Sequence, residues 1–318
     1  MDPAGLPLHI LAARQGGIVT REQALAAGLT PRRIRTLVGR DHWQHPHRGL
    51  FHTGGPEPDG ALPLLAALWA AHLRAGPRSV VGLDSAARAL GVRGLPDRSG
   101  PVQLVLPASG QARRPTAGLR LHYWPLRAEE TTRLGRLPLT TPVRTLTDTL
   151  LHLPDADPAL GLAILDSALH RRLLTPAELP ALAAAAFGRP GAPALRRLLP
   201  LADGRAAGPL ESRLRRLCLD AGLPPDHLAH PVGDGRVVAL AWTRDLARPL
   251  FVDTETDGDG DSGSGQRRGR CNEPALPTDA GVLRYTWSDV LDRGGRRVVE
   301  EIRTALGRCL SVSGPGGR

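Results

Sequence analysis

The chain has 318 residues, 41% of them hydrophobic, which is enough apolar material to bury a sizeable core in two or three domains. No apolar run is long enough to span a bilayer, which excludes a protein built on membrane-crossing helices and reads as a soluble one. The formal net charge of +10 and a sequence pI near 11.1 favour a polyanionic partner and point to nucleic acid before membrane.

All 41 basic residues are arginine. The guanidinium forks onto phosphate and onto guanine edges, but the abundance of Ala, Gly and Pro alongside it fits a GC-rich genome, so the net charge rather than the missing lysine carries the functional signal. Cys218, Cys271 and Cys309 are too few and too widely spaced for a disulfide framework or a zinc site, and a reducing cytoplasm is the expected location. Met1 to Gly5 lacks the basic, apolar and small-residue pattern of a secretion signal.

Residues 8–52 read as a winged helix. Leu8, Ile10 and Leu11 start a helix that stops at Gly16-Gly17, and Ile18-Val19 is extended. Thr20 and Gln23 form a capping box for a second helix ending at Gly28. Thr30 and Pro31 start a third at once, giving helix, tight turn, helix. On the third helix Ile34, Leu37 and Val38 make the core stripe, leaving Arg32, Arg33, Arg35, Thr36 and Arg40 outside on a helix suited to a major groove. Trp43 and the run His47-Arg48-Gly49-Leu50-Phe51 read as wing strands, with Arg48 at the tip as a further DNA contact. His42, His45, His47 and His52 match no standard metal spacing, which favours structural or phosphate-contacting roles. The segments Gly17-Ile18-Val19-Thr20, Gln23-Ala24-Leu25, Gly28-Leu29, Ile34-Arg35 and Arg48-Gly49-Leu50-Phe51 resemble the N-terminal winged helix of the AbiEi-type antitoxins. That resemblance implies DNA binding with autoregulation of an operon, and a cognate toxin or its gene as the further partner. It does not imply catalysis.

Residues 60–205 read as mostly helical with a small β component. Helices are expected over Leu62 to Leu73, Ser85 to Leu90, from Thr141-Pro142, and through Leu160–Leu174 and Leu179–Leu201. Ser79–Leu83, Val102–Leu106 and Leu119–Trp124 are extended, and the loop Ser109–Gly118 offers Arg113 and Arg114 to a phosphate backbone. Ser85-Ala86-Ala87 and the Thr-Pro-Val-Arg-Thr-Leu-Thr-Asp run from Thr141 are similar to the middle region of the same antitoxin-like proteins. Asp166 and His170 are expected at the surface or as caps, and the stretch as a scaffold.

From Glu211 the pattern changes. A helix with Leu210, Leu214 and Leu217 on one face and arginines between them precedes Arg236–Trp242 and Leu250–Gly258, two β-rich runs that read as a hairpin. Alternation along a strand brings Asp253, Glu255 and Asp257 to one side, a cluster of hard oxygens of the kind Mg²⁺ requires, although a solvated strand end gives the same pattern. Together with Gln266, the arginines after it and Gly281-Val282-Leu283-Arg284-Tyr285-Thr286-Trp287, these residues resemble the Vsr-like branch of the restriction-endonuclease-like nucleases. The resemblance implies catalytic positions at Glu211, Glu255, Asp257 and Gln266, with Mg²⁺ at Asp253, Glu255 and Asp257 if the site is active. The family's first-strand Asp falls on Ala239, and Asp261-Ser262-Gly263 stands where histidines are usual. Pro274 and Pro277 interrupt the helix expected before the last strand.

The expected architecture is α+β: a winged helix (1–55), a mostly helical α+β middle region (56–205), an α/β restriction-endonuclease-like domain (206–310) and a disordered tail (311–318). The favoured function is an antitoxin-like DNA-binding regulator that does not cleave and needs no cofactor. The alternative is an active Mg²⁺-dependent endonuclease with a rearranged site; a purely structural or interaction role stands third.

Overall fold

The computed structural model describes residues 6–55, 61–95, 100–108, 117–153, 158–206, 208–233, 235–254, 280–291 and 294–310. The chain is α+β, as its patterning predicts, and its contacts group into two units. The first is Met1–Gly91, Pro96–His152 and Ala181–Arg189; the second is Val92–Leu95, Leu153–Pro180 and Pro190–Arg318.

The first unit opens with α1 (Leu8–Arg14), β1 (Ile18–Thr20), α2 (Arg21–Ala26), α3 (Pro31–Gly39), β2 (Gln44–His47) and β3 (Leu50–His52). The capping box at α2 is present: Gln23 N donates to Thr20 Oγ1 at 3.1 Å and Thr20 N to Gln23 Oε1 at 2.8 Å. Gly28, with φ +88°, makes the left-handed turn out of α2, and Thr30 caps α3 by accepting from Arg33 N. The sheet order β1-β3-β2 places the wing hairpin beside β1. Ala12, Val19, Ala24, Ile34 and Phe51 close one small core under these elements.

The remainder of this unit runs α4 (Leu64–Ala75), β4 (Val80–Val81), α5 (Leu83–Ala89), β5 (Val102–Leu106), β6 (Leu119–Tyr123), β7 (Thr131–Leu134), β8 (Leu137–Thr140) and α6 (Pro142–Leu151). Its sheet has five strands in the order β6-β5-β4-β8-β7, so residues 60–205 hold more β structure than the sequence reading expected. The β7–β8 hairpin turns on Gly135-Arg136, a two-residue signal of the ordinary Gly-containing kind. Ile18 and Leu50 of the winged helix are buried in the same cluster as Leu68 and Trp69 of α4 and Leu104, Leu137 and Leu139 of the sheet. The backbone of α4 approaches so closely that a Cβ on Gly16 would stand 3.0 Å from Ala66 N.

The second unit contains α7 (Pro158–His170), α9 (Ala192–Leu198), α10 (Pro209–Asp220), β9 (His227–Val232), β10 (Arg236–Trp242), β11 (Leu250–Thr254), β12 (Gly281–Tyr285), α11 (Trp287–Val290) and α12 (Gly294–Leu310); most of α8 (Leu179–Ala185) belongs to the first unit. The β10–β11 hairpin forms as expected, and β12 adds parallel to β11 in the order β12-β11-β10-β9. Strand β9 was not expected, because Pro231 interrupts its apolar run; the residue is tolerated there because β9 is the edge strand. Leu210 and Leu214 of α10 pack with Leu240, Trp242, Val252, Val298 and Ile302. Among the described residues no helix is long and apolar enough to cross a membrane.

Candidate nucleic-acid interface

On α3 the apolar stripe faces inward through Ile34, and Leu37 and Val38 are half-buried beside it. The helical period then leaves Arg32, Arg33 and Arg35 exposed, with Arg40 at the C-cap and Arg48 in the wing turn also exposed. None of these five guanidinium groups is ion-paired among the described residues, so each keeps its donors for an incoming anion. Thr36 is half-buried, and its hydroxyl donates to Arg32 O at 3.0 Å, so it caps its own helix turn while keeping its lone pairs.

The wing is held from behind. His45 stacks on Phe51 with centroids 5.0 Å apart, and Trp43 tilts against the same ring at 5.8 Å. Arg74 Nη1 of α4 lies 2.9 Å from His47 Nε2, and Arg74 Nη2 donates to Ala117 O at 3.0 Å. A guanidinium can only donate, so Nε2 accepts and the ring is neutral with its proton on Nδ1. Burial, then Arg74 and His45, hold the His47 pKa below the ordinary imidazole value. His52 is buried against Gly17, which has φ +86° and on which a Cβ would stand 2.7 Å from the His52 ring. The wing histidines thus serve packing and hydrogen bonding.

The carboxylates read as a metal site are differently engaged. Asp253, at the end of β11, accepts from Arg236 Nη2 at 2.6 Å and from Thr254 N at 2.9 Å. Both partners of that ion pair are mostly enclosed, at 12% and 17% side-chain exposure. Glu211 is half-buried in the first turn of α10. Ala239 is 5% exposed within the cluster formed by Leu210, Leu214 and Val252, so a methyl group occupies an apolar setting there. Glu255, Asp257 and Gln266 lie outside the described residues, as do Arg113, Arg114, Pro274, Pro277 and residues 311–318. Among the described residues no three His, Cys, Asp or Glu side chains come together as a metal site. Cys218 is buried and its thiol is pushed up to about 12 by burial, which makes it inert as a nucleophile at neutral pH.

Two ionic centres escaped the sequence reading. Asp166, expected at the surface, is fully buried on α7: it accepts from Arg215 Nη2 at 2.7 and 2.9 Å and from Asp203 N at 2.7 Å. The corresponding correction applies to α10, where Arg215 lies buried instead of on a basic face. Asp148 on α6 is likewise fully buried between Arg144 Nε and Arg189 Nη2, both at 2.6 Å. His170 is exposed, as expected, with Nδ1 3.0 Å from Gly204 O.

The arrangement α1-β1-α2-α3-β2-β3, with a three-stranded β1-β3-β2 sheet and a basic second helix of a helix-turn-helix, is that of a winged helix. Residues 8–51 match the family described as "Transcriptional regulator, AbiEi antitoxin". Two Mycobacterium tuberculosis chains are similar over a longer stretch: "Uncharacterized protein MT2308" of strain CDC 1551 / Oshkosh and "Uncharacterized protein Rv2248" of strain ATCC 25618 / H37Rv. Each is 35% identical over 196 residues, which cover 61% of this chain and 66% of the relative.

Proposed function

We propose that the chain is a DNA-binding transcriptional regulator of antitoxin type that reads duplex DNA with α3 and braces the contact with its wing. The observation that carries this reading is the group Arg32, Arg33 and Arg35, exposed and without carboxylate partners among the described residues on the second helix of a helix-turn-helix. Phosphate neutralisation by such a group supplies affinity, and the N-terminal turns of the helix supply base contacts. A gene or operon encoding a toxin is the target that antitoxin kinship suggests, and the cytoplasm is where the chain would meet it.

Residues 206–310 form, in this reading, a Vsr-like nuclease domain retained for its fold without cleavage. The mixed four-stranded sheet behind α10 and α12 supports the kinship. The methyl group at Ala239 and the capture of Asp253 by Arg236 support the loss of activity, because Mg²⁺ needs near-octahedral oxygen coordination. The domain boundaries near residues 55 and 205 belong to the same proposal.

The test is fluorescence anisotropy of the full chain on the duplex upstream of its own gene and on a scrambled duplex, across a series of salt concentrations. Tight, salt-dependent binding with preference for the upstream duplex is the expected result. Equal, salt-insensitive weakness on both duplexes overturns the reading.

A further inference from the structure

Beside His47 of the wing, the first unit contains a cavity of about 280 Å³, just below the usual range for drug-sized ligands. Leu64 and Leu68 of α4, Val102 of β5 and Leu119 of β6 contribute apolar side chains to its lining. Its polar side chains are five: His47, Arg74, Asp84, Ser85 and Arg88. Asp84, the carboxylate of the set, already accepts from Gln103 Nε2 at 2.6 Å and Ser85 Oγ at 3.4 Å, with Arg88 at 4.0 Å. Among the described residues that line the cavity, two guanidiniums stand beside one carboxylate.

Arg74 is the group shared between this cavity and the wing. Its Nη1 makes the 2.9 Å contact to His47 Nε2, where the acceptor is a neutral ring nitrogen. Hydrogen bonds from a guanidinium to a carboxylate are roughly twice as strong as those between neutral groups, and a carboxylate can take both arms of the fork. An anion entering the cavity would therefore compete with the imidazole for Arg74, and an apolar body attached to that anion would be held by Leu64, Leu68, Val102 and Leu119.

We propose that this cavity is an effector site for a small organic carboxylate with an apolar body, and that its carboxylate takes Arg74 from His47 and so releases the wing. The ligand differs in affinity for the clamped and released states, which is the condition for it to shift the equilibrium between them. Binding of the acid and of DNA then oppose each other by the same factor in both directions. The coupling half of this proposal rests on the DNA-binding reading above; the ligand half does not.

Isothermal titration of the full chain with benzoate and with hexanoate, against acetate and benzyl alcohol as controls, tests the ligand half without DNA. Saturable binding of at least one acid, tenfold or more tighter than either control, is expected. Arg74→Gln should weaken it at least tenfold, and Val102→Trp, which fills the cavity and leaves Arg74 in place, should abolish it. No saturable binding of either acid, binding no tighter than acetate, or undiminished binding in both variants overturns the site. The coupling half is read from anisotropy with the bound acid at saturation: DNA affinity should fall at least threefold in the parent and be unchanged by the acid in His47→Ala. A parent that binds DNA with the same affinity in the presence of acid overturns the coupling. A parent that binds the acid but no DNA overturns the coupling together with the function proposed above, and leaves the cavity assignment standing on its own data.

Discussion

Asp253 and Arg236 face each other at 2.6 Å across the end of the β10–β11 hairpin, and that contact occupies one of the carboxylates that a metal site would need. A carboxylate held by a guanidinium and by Thr254 N has its stronger acceptor directions engaged, and a metal would have to displace a charged donor to reach it. The parent protein is accordingly expected to leave supercoiled plasmid intact in Mg²⁺ or Mn²⁺. Nicking that appears in the parent and vanishes in Glu255→Ala would establish the endonuclease alternative instead.

Ala239→Asp is expected to destabilise the fold and leave activity unrecovered. Residue 239 is 5% exposed among leucines and a valine, an apolar setting for a carboxyl group. Burying that group unsatisfied costs about 3 kcal/mol. Urea denaturation of parent and variant measures the difference; a change below about 0.5 kcal/mol would place residue 239 in a polar setting and revive the metal site.

The Asp166–Arg215 pair joins α7 to α10 inside the second unit, and breaking it from one side strands a charge. Arg215→Met should cost about 3–5 kcal/mol, whereas Asp166→Asn combined with Arg215→Met should recover most of it, since Asn still accepts from Asp203 N. Burial already raises the Asp166 pKa above its ordinary value of 3.8 while Arg215 opposes the rise. Removing Arg215 lifts it further. A carboxyl group whose folded pKa exceeds its unfolded one loses stabilisation as pH rises, so the Arg215→Met deficit should be smallest in acid and grow above pH 3.8. Denaturation curves at several pH values check both the size and the slope.

Arg32→Ala and Arg35→Ala should each shallow the plot of log affinity against log salt by about one unit, with little change in thermal stability. Both side chains are exposed, so lost affinity cannot be charged to lost packing. Unchanged slopes in both variants would remove α3 from the interface.

Four imidazoles titrate in one direction. Burial is the leading cause that lowers His47, His72, His122 and His230; it is joined by Arg74 and His45 at His47, by His152 and Arg120 at His122, by Arg133 at His72 and by His227 at His230. Asp148 and Asp84 at His122, and the Ser79 carbonyl at His72, oppose the shift. A histidine whose folded pKa is depressed stays neutral in the fold while the unfolded chain takes up a proton below 6.5. Stability should therefore be flat above pH 6.5 and fall as pH drops from there towards each folded value. Thermal melts of the parent, His47→Gln and His122→Gln between pH 7.5 and 5 test this as a prediction, and flatter profiles are expected in the variants.

What the sequence showed of this molecule follows the range of its interactions. Thr20, Gln23, Thr30 and Pro31 act within a single turn, so the winged helix was legible from spacing alone. Strand β9 was hidden by Pro231, and β7–β8 was overlooked although Gly135-Arg136 marked its turn. Asp166 and Arg215 are 49 residues apart and look like surface charges until the fold buries both. Arg74 and His47, 27 residues apart, give no local sign of each other. The Arg236 partner of Asp253 was out of sight for a similar reason: period-two alternation places a carboxylate on a face, and only the neighbouring strand determines what that face meets.

Ile18 and Leu50, buried with Leu68, Leu104 and Leu139, tie the winged helix into the interior of its supporting sheet, in addition to the small core around Ile34 and Phe51. A module with nothing but its own core could be severed, transplanted or allowed to swing on a tether. This one behaves as the end of a stiff lever: heat should melt head and support in one cooperative step, and any strain that wrapped DNA exerts on the wing is delivered straight into the five-stranded sheet.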